Sequence, residues 1–60
     1  MEHDYPEILT LKQCQEILQI GKNLMLFLVH NEEIPAFRVG TKWRVRKSDL
    51  KQYIESRIEG

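Results

Sequence analysis

The sequence predicts a small, mainly helical domain carrying one β-hairpin, in the order helix, turn, helix, hairpin, helix. Three observations predict it. Apolar residues recur at helical spacing through residues 11 to 18 and again from 50 to 58. Between them, the run "NLMLFLVH" is separated from the first helix by no more than a short glycine-containing turn. Residues 36 to 46 instead alternate with period two around Gly40.

Each element has its own signal. Thr10 stands three residues before Gln13, the spacing of a capping box, so a helix is expected to start at residue 11. Leu11, Cys14, Ile17 and Leu18 then form one face, to about residue 18. "QIGKN" ends that helix, with Gly21 read as the residue that allows the tight turn. A second helix opens at Lys22 or Asn23 and runs to His30 or Asn31. At 100° per residue, Met25, Leu28 and Val29 share its core face, and Asn23, Phe27 and His30 share the opposite one. In the hairpin, Phe37, Val39, Trp43 and Val45 are expected to point one way, and Arg38, Arg44 and Arg46 the other. Gly40-Thr41-Lys42 is read as the turn between them. Ser48 and Asp49 suit the positive end of a third helix, over about residues 47 to 58. Residues 1 to 7, "MEHDYPE", are expected to be a flexible lead-in to a single domain over residues 8 to 58.

Composition excludes several classes. Sixty residues make one domain with a thin core, and 42% hydrophobic with 30% charged residues is ordinary for a globular chain. The apolar run at 24 to 29 is far shorter than the roughly 20 residues a bilayer span needs, and no signal peptide is expected. Cys14 is the single cysteine, so no internal disulfide can form and a reducing, cytoplasmic setting is expected. It sits on the apolar face of the first helix, as a small buried hydrophobe would. His3, His30 and Cys14 have no metal-ligand spacing, and neither a phosphate loop, a carboxylate pair nor a triad is visible. The chain is therefore expected to be no enzyme and to need no cofactor or metal.

The net charge of zero hides a segregation. Residues 1 to 35 hold two lysines against six acids, and residues 36 to 51 hold six bases against one acid. Positive charge packed into sixteen residues says more about partners than the total does. By itself such a cluster is weak evidence, since a solvated strand face is a commoner explanation than a nucleic-acid grip.

The stretch "ILTLKQCQEILQIGKN…IPAFRVGTKWRVRKSDLKQYI" resembles the excisionase family of small winged helix-turn-helix proteins, related to the MerR-type DNA-binding domain. Leu9-Thr10, Glu16-Ile17-Leu18, Ile34-Pro35-Ala36, Arg38-Val39-Gly40, Trp43-Arg44-Val45 and Asp49-Leu50 fall in register with the family pattern, over about residues 8 to 56. The resemblance implies an architectural protein that binds double-stranded DNA, self-associates on tandem sites and helps a tyrosine integrase excise a mobile element. It places the second helix in the major groove and the wing on the backbone or in the minor groove. The residues expected to meet DNA are Lys22, Asn23, Phe27 and His30 on the second helix, and Arg38, Lys42, Arg44, Arg46 and Lys47 on and after the wing. The second helix departs from the family, which usually carries Arg, Ser or Thr near Leu24 and Phe27. Its surplus of apolar residues supports an alternative, a protein-interaction module or a transcriptional regulator of a mobile element that uses this surface. Phe27 itself is open to packing under the N-terminal segment, to a protein partner or to a thymine methyl.

Overall fold

The computed structural model describes residues 7 to 59. Six elements follow one another: β1 (Ile8–Thr10), α1 (Leu11–Leu18), α2 (Lys22–His30), β2 (Phe37–Val39), β3 (Lys42–Arg46) and α3 (Lys47–Glu59). The helices and the hairpin lie where the sequence puts them. β1 does not come from any sequence signal. It pairs antiparallel with β3, Leu9 opposite Val45, and makes a three-stranded sheet in the order β1-β3-β2. Pairing extends one residue earlier, where the Lys47 N–H donates to the Glu7 carbonyl at 2.7 Å. Residues 1 to 6 of the expected lead-in lie outside the described residues.

The helix ends explain the tightness of the turn. Thr10 caps α1 as its spacing predicts. Its hydroxyl accepts from the Gln13 backbone N–H at 3.0 Å, and the Gln13 side-chain Oε1 accepts from the Thr10 backbone N–H at 2.9 Å. The exit differs from the sequence expectation. Gly21 is in ordinary extended conformation, as the N-cap of α2. The left-handed residue is Gln19, at φ 59°, and the Ile20 N–H reaches back five residues to the Gln15 carbonyl at 3.0 Å. α2 ends the same way, with Glu32 at φ 59° and the Glu33 N–H bonded to the Leu28 carbonyl at 2.9 Å. Two helices of eight and nine residues are thus each closed by a left-handed residue that is not glycine.

The hairpin register corrects the expected division of faces. Val39 pairs with Lys42, Arg38 with Trp43 and Phe37 with Arg44. The loop is therefore two residues, Gly40-Thr41, rather than three. Gly40 alone of the two has positive φ, 66°, the pattern of a type II′ turn with glycine first. Residues directly opposite in a ladder share a face. With an even loop, odd positions on β2 share a face with even positions on β3. Phe37 and Val39 thus join Lys42, Arg44 and Arg46 on the outer face, 40% and 57% exposed. Arg38 goes to the inner face with Trp43 and Val45. The expected apolar underside and arginine upper side do not exist as such, because one residue fewer in the loop shifts the phase of one strand against the other.

The core lies between the inner sheet face and the helices. Leu9, Cys14, Met25, Leu28, Val29, Ile34, Val45 and Leu50 are buried. Every element except β2 contributes to this set, and Ile34 reaches it from the α2–β2 loop. Trp43, Tyr53 and Ile54 pack against it half-buried.

Candidate nucleic-acid interface

α2 buries Met25, Leu28 and Val29 and exposes the opposite side. Asn23, Phe27 and His30, four and three residues apart, make a strip along that side. Lys22 is exposed at its start. Gly21 supplies no side-chain cap, so the first N–H groups of α2 stay open to water or an anion. Phe27 is 57% exposed and Leu24, on one flank, 48%. Leu24 and Phe27 line a shallow groove with Leu18, Ile20, Tyr53 and Arg57. No described residue of the N-terminal segment covers Phe27, since Glu7 to Thr10 run along β3.

The wing carries cations on both faces. On the outer face stand Lys42, Arg44 and Arg46; on the inner face stands Arg38. They are not equally available. The Arg46 guanidinium grips Asp49 through both carboxylate oxygens, at 2.7 and 3.1 Å, which raises its pKa further. Lys47 Nζ meets a Glu7 carboxylate oxygen at 3.1 Å, and both side chains are exposed, so the pair contributes little to stability. Arg38, Lys42 and Arg44 have no acidic partner among the described residues. Arg44 Nη1 donates to its neighbour's carbonyl, Trp43 O, at 2.9 Å, which folds the side chain along the strand. The free positive charge of the wing is therefore concentrated in Arg38, Lys42 and Arg44.

Trp43 joins the helix strip to the wing. Its ring lies edge-on to His30, with centroids 6.0 Å apart. The Arg38 guanidinium stacks over the same ring at 4.8 Å, within reach of a cation–π contact. His30, Trp43 and Arg38 thus join the end of the α2 strip, which carries Asn23 and Phe27, to the hairpin. The link between His30 and Arg38 through Trp43 could not be read from the sequence, because it depends on the two-residue loop. The one signal for it is Gly40 followed by Thr41, the preferred order for a type II′ turn.

Other reactive groups are placed for packing. Cys14 is fully buried and burial pushes its thiol pKa up, which keeps it protonated and inert. Among the described residues no three His, Cys, Asp or Glu side chains gather as a metal site. No helix among them is long and apolar enough to cross a membrane.

Two short helices joined by a tight turn, a third helix, and a basic hairpin projecting beside them define a small winged helix-turn-helix domain. The chain belongs to the helix-turn-helix domain family, whose model matches residues 8–58. Two proteins of Mycobacterium tuberculosis, strains CDC 1551 and H37Rv, each named "Putative DNA-binding protein", are 32% identical to it over 50 residues. The match covers 83% of this chain and 64% of theirs, so the chain spans somewhat less than two thirds of these relatives. No solved structure matches.

Proposed function

We propose that this chain is an architectural, sequence-directed DNA-binding protein of excisionase type, with α2 laid in the major groove and the wing against the backbone or in the minor groove. The observation that carries the reading is the placement of unpaired cations on both faces of the hairpin, Arg38 on one and Lys42 and Arg44 on the other. A ribbon lying flat on one phosphate strand needs charge on one face only. A ribbon entering a groove meets phosphates on both sides, and a narrow minor groove attracts arginine in particular. The names of the mycobacterial relatives and the family match support DNA as the partner.

The finer parts rest on the excisionase resemblance. They are a role as recombination directionality factor of a mobile element, a tyrosine integrase as partner, self-association on tandem sites and a cytoplasmic setting. Lys22, Asn23, Phe27 and His30 are the proposed groove contacts of α2. Arg46 becomes a secondary contact, because Asp49 already holds it through both oxygens, whereas Lys47 has only an exposed, weak pair with Glu7 and remains a proposed contact. A helix-turn-helix domain of this kind works by binding, in keeping with a non-enzymatic role. Gel shifts on random duplex at low and high salt test the general reading. A footprint on the DNA flanking its own gene tests the excisionase reading, which expects repeated protected sites there. Sequence-independent, salt-insensitive behaviour or no shift at all would overturn it.

A second reading has one observation in its favour. Leu24 and Phe27 are each about half exposed beside Leu18 and Ile20, a surface that suits a protein-interaction module or a regulator recruiting a partner. Phe27→Arg separates the two. On DNA, the added cation strengthens binding to random duplex. In a protein contact, a charge forced into an apolar interface abolishes association, which sedimentation would register.

A further inference from the structure

We propose that Phe27 reads the C5-methyl group of thymine, which makes α2 selective for sites with an adenine and a thymine about two base steps apart. The inference rests on the DNA-binding reading above and names what that surface recognises.

Phe27 sits at the centre of the outward strip of α2 and is more than half exposed. On one side its neighbours are polar, Asn23 one turn before and His30 one turn after; on the other stands exposed Leu24. Asn31 is fixed beside it, its side-chain Nδ2 donating to the Phe27 carbonyl at 2.9 Å. The strip then continues through Trp43 to Arg38, so the ring belongs to the surface that carries the wing's charge. An aromatic ring set in a line of hydrogen-bonding side chains needs a partner that is apolar at one point and polar on either side. The floor of the major groove has that character. It is a row of donors and acceptors in which the thymine methyl is the one apolar group. Asn23 has the matching chemistry for adenine, donating to N7 and accepting from N6. Four residues of helix rise about 6 Å, which corresponds to roughly two base steps at 3.4 Å each. Adenine under Asn23 and a thymine methyl under Phe27 are therefore contacts one helix can make together. The flank formed by Leu24, Leu18 and Ile20 is the surface a protein would use instead, and the experiment separates that case.

Duplexes enriched from a random pool by the full chain are resynthesised with deoxyuridine for thymidine at each position in turn. The substitution removes only the methyl and leaves base pairing unchanged. One buried methyl is worth about 0.8 kcal/mol, so deoxyuridine at the contacted position is expected to weaken binding about fourfold. Phe27→Ala is expected to bind thymidine and deoxyuridine duplexes alike. Because the side chain is exposed, that variant keeps its fold, which its melting curve checks. Equal binding of both duplexes by the unaltered chain overturns the methyl contact and leaves DNA binding standing. Methyl sensitivity that survives in Phe27→Ala assigns the contact to another residue and overturns the inference too. A free chain that self-associates through Phe27, lost in Phe27→Ala with duplex affinity unchanged, assigns the ring to a protein contact. Failure to enrich any duplex removes the DNA reading itself, and the thymine contact with it.

Discussion

Gln19 and Glu32 hold the same unusual conformation for the same reason. Each ends a helix at φ 59°, where the chain must reverse within one residue and a carbonyl five residues back takes the N–H that follows. A residue with a Cβ costs about 1–2 kcal/mol there, whereas glycine costs none of that strain. Glycine's greater freedom in the unfolded chain returns part of the difference. Glu32→Gly is therefore expected to stabilise the domain by about 0.5–1 kcal/mol, seen as a higher midpoint in urea. A lower midpoint would mean that the Glu32 side chain makes a contact worth more than its strain. Gly40 is the position where the reverse holds, since its φ of 66° is needed for the two-residue loop.

The hairpin is the element where one residue of loop length changes which side chains support the fold. Trp43 is half-buried against the core and Phe37 is 40% exposed on the outer face. Trp43→Ala is expected to cost about 2–4 kcal/mol, somewhat below the range for a fully buried aromatic. Phe37→Ala, on the open face, is expected to cost no more than about 0.5–1 kcal/mol. Equal losses in the two variants would contradict the register. The wing's charges give a second test. Each phosphate contact lowers the slope of log K against log salt by about 0.9 for duplex DNA. Lys42→Ala with Arg44→Ala, on one face, is expected to flatten that slope by about 1.8. Arg38→Ala, on the other face, is expected to flatten it by about 0.9. A change from the first pair and none from Arg38→Ala would show a wing that lies flat on one strand instead of entering a groove.

At the scale of the molecule the interior, among the described residues, is eight buried side chains drawn from five of six elements and one loop. A domain of this size has a stability of roughly 3–9 kcal/mol by the usual per-residue range. Met25, fully buried at the centre of α2, contacts the core from the element that also carries the outward strip. Met25→Ala is expected to cost about 2–5 kcal/mol, enough to leave much of the chain unfolded at 37 °C. Duplex DNA should then restore part of the lost stability, since a ligand that binds only the folded state contributes about 2.7 kcal/mol at a hundred times its Kd. Thermal melts of Met25→Ala with and without duplex check both halves. An unchanged melt without DNA would place Met25 outside the true core.

The sequence by itself determined the three helices, the capping box at Thr10, the hairpin's existence and the core face of α2. These depend on local chemistry and on periodicity within one element, which a single chain displays directly. It also carried the segregation of charge that points to an anionic partner. Three things were decided only in three dimensions. β1 exists because β3 offers Ile8–Thr10 a pairing edge, and a three-residue strand has no periodicity of its own to announce it. The faces of the hairpin depend on the parity of its loop, and an error of one residue there exchanges the two sides of a whole strand. The meeting of His30, Trp43 and Arg38 follows from that parity together with the docking of α2 on the sheet. Local patterns determine which elements form, whereas register and packing determine which side chains of different elements share a surface, and the proposed DNA-binding ridge is a property of the second kind.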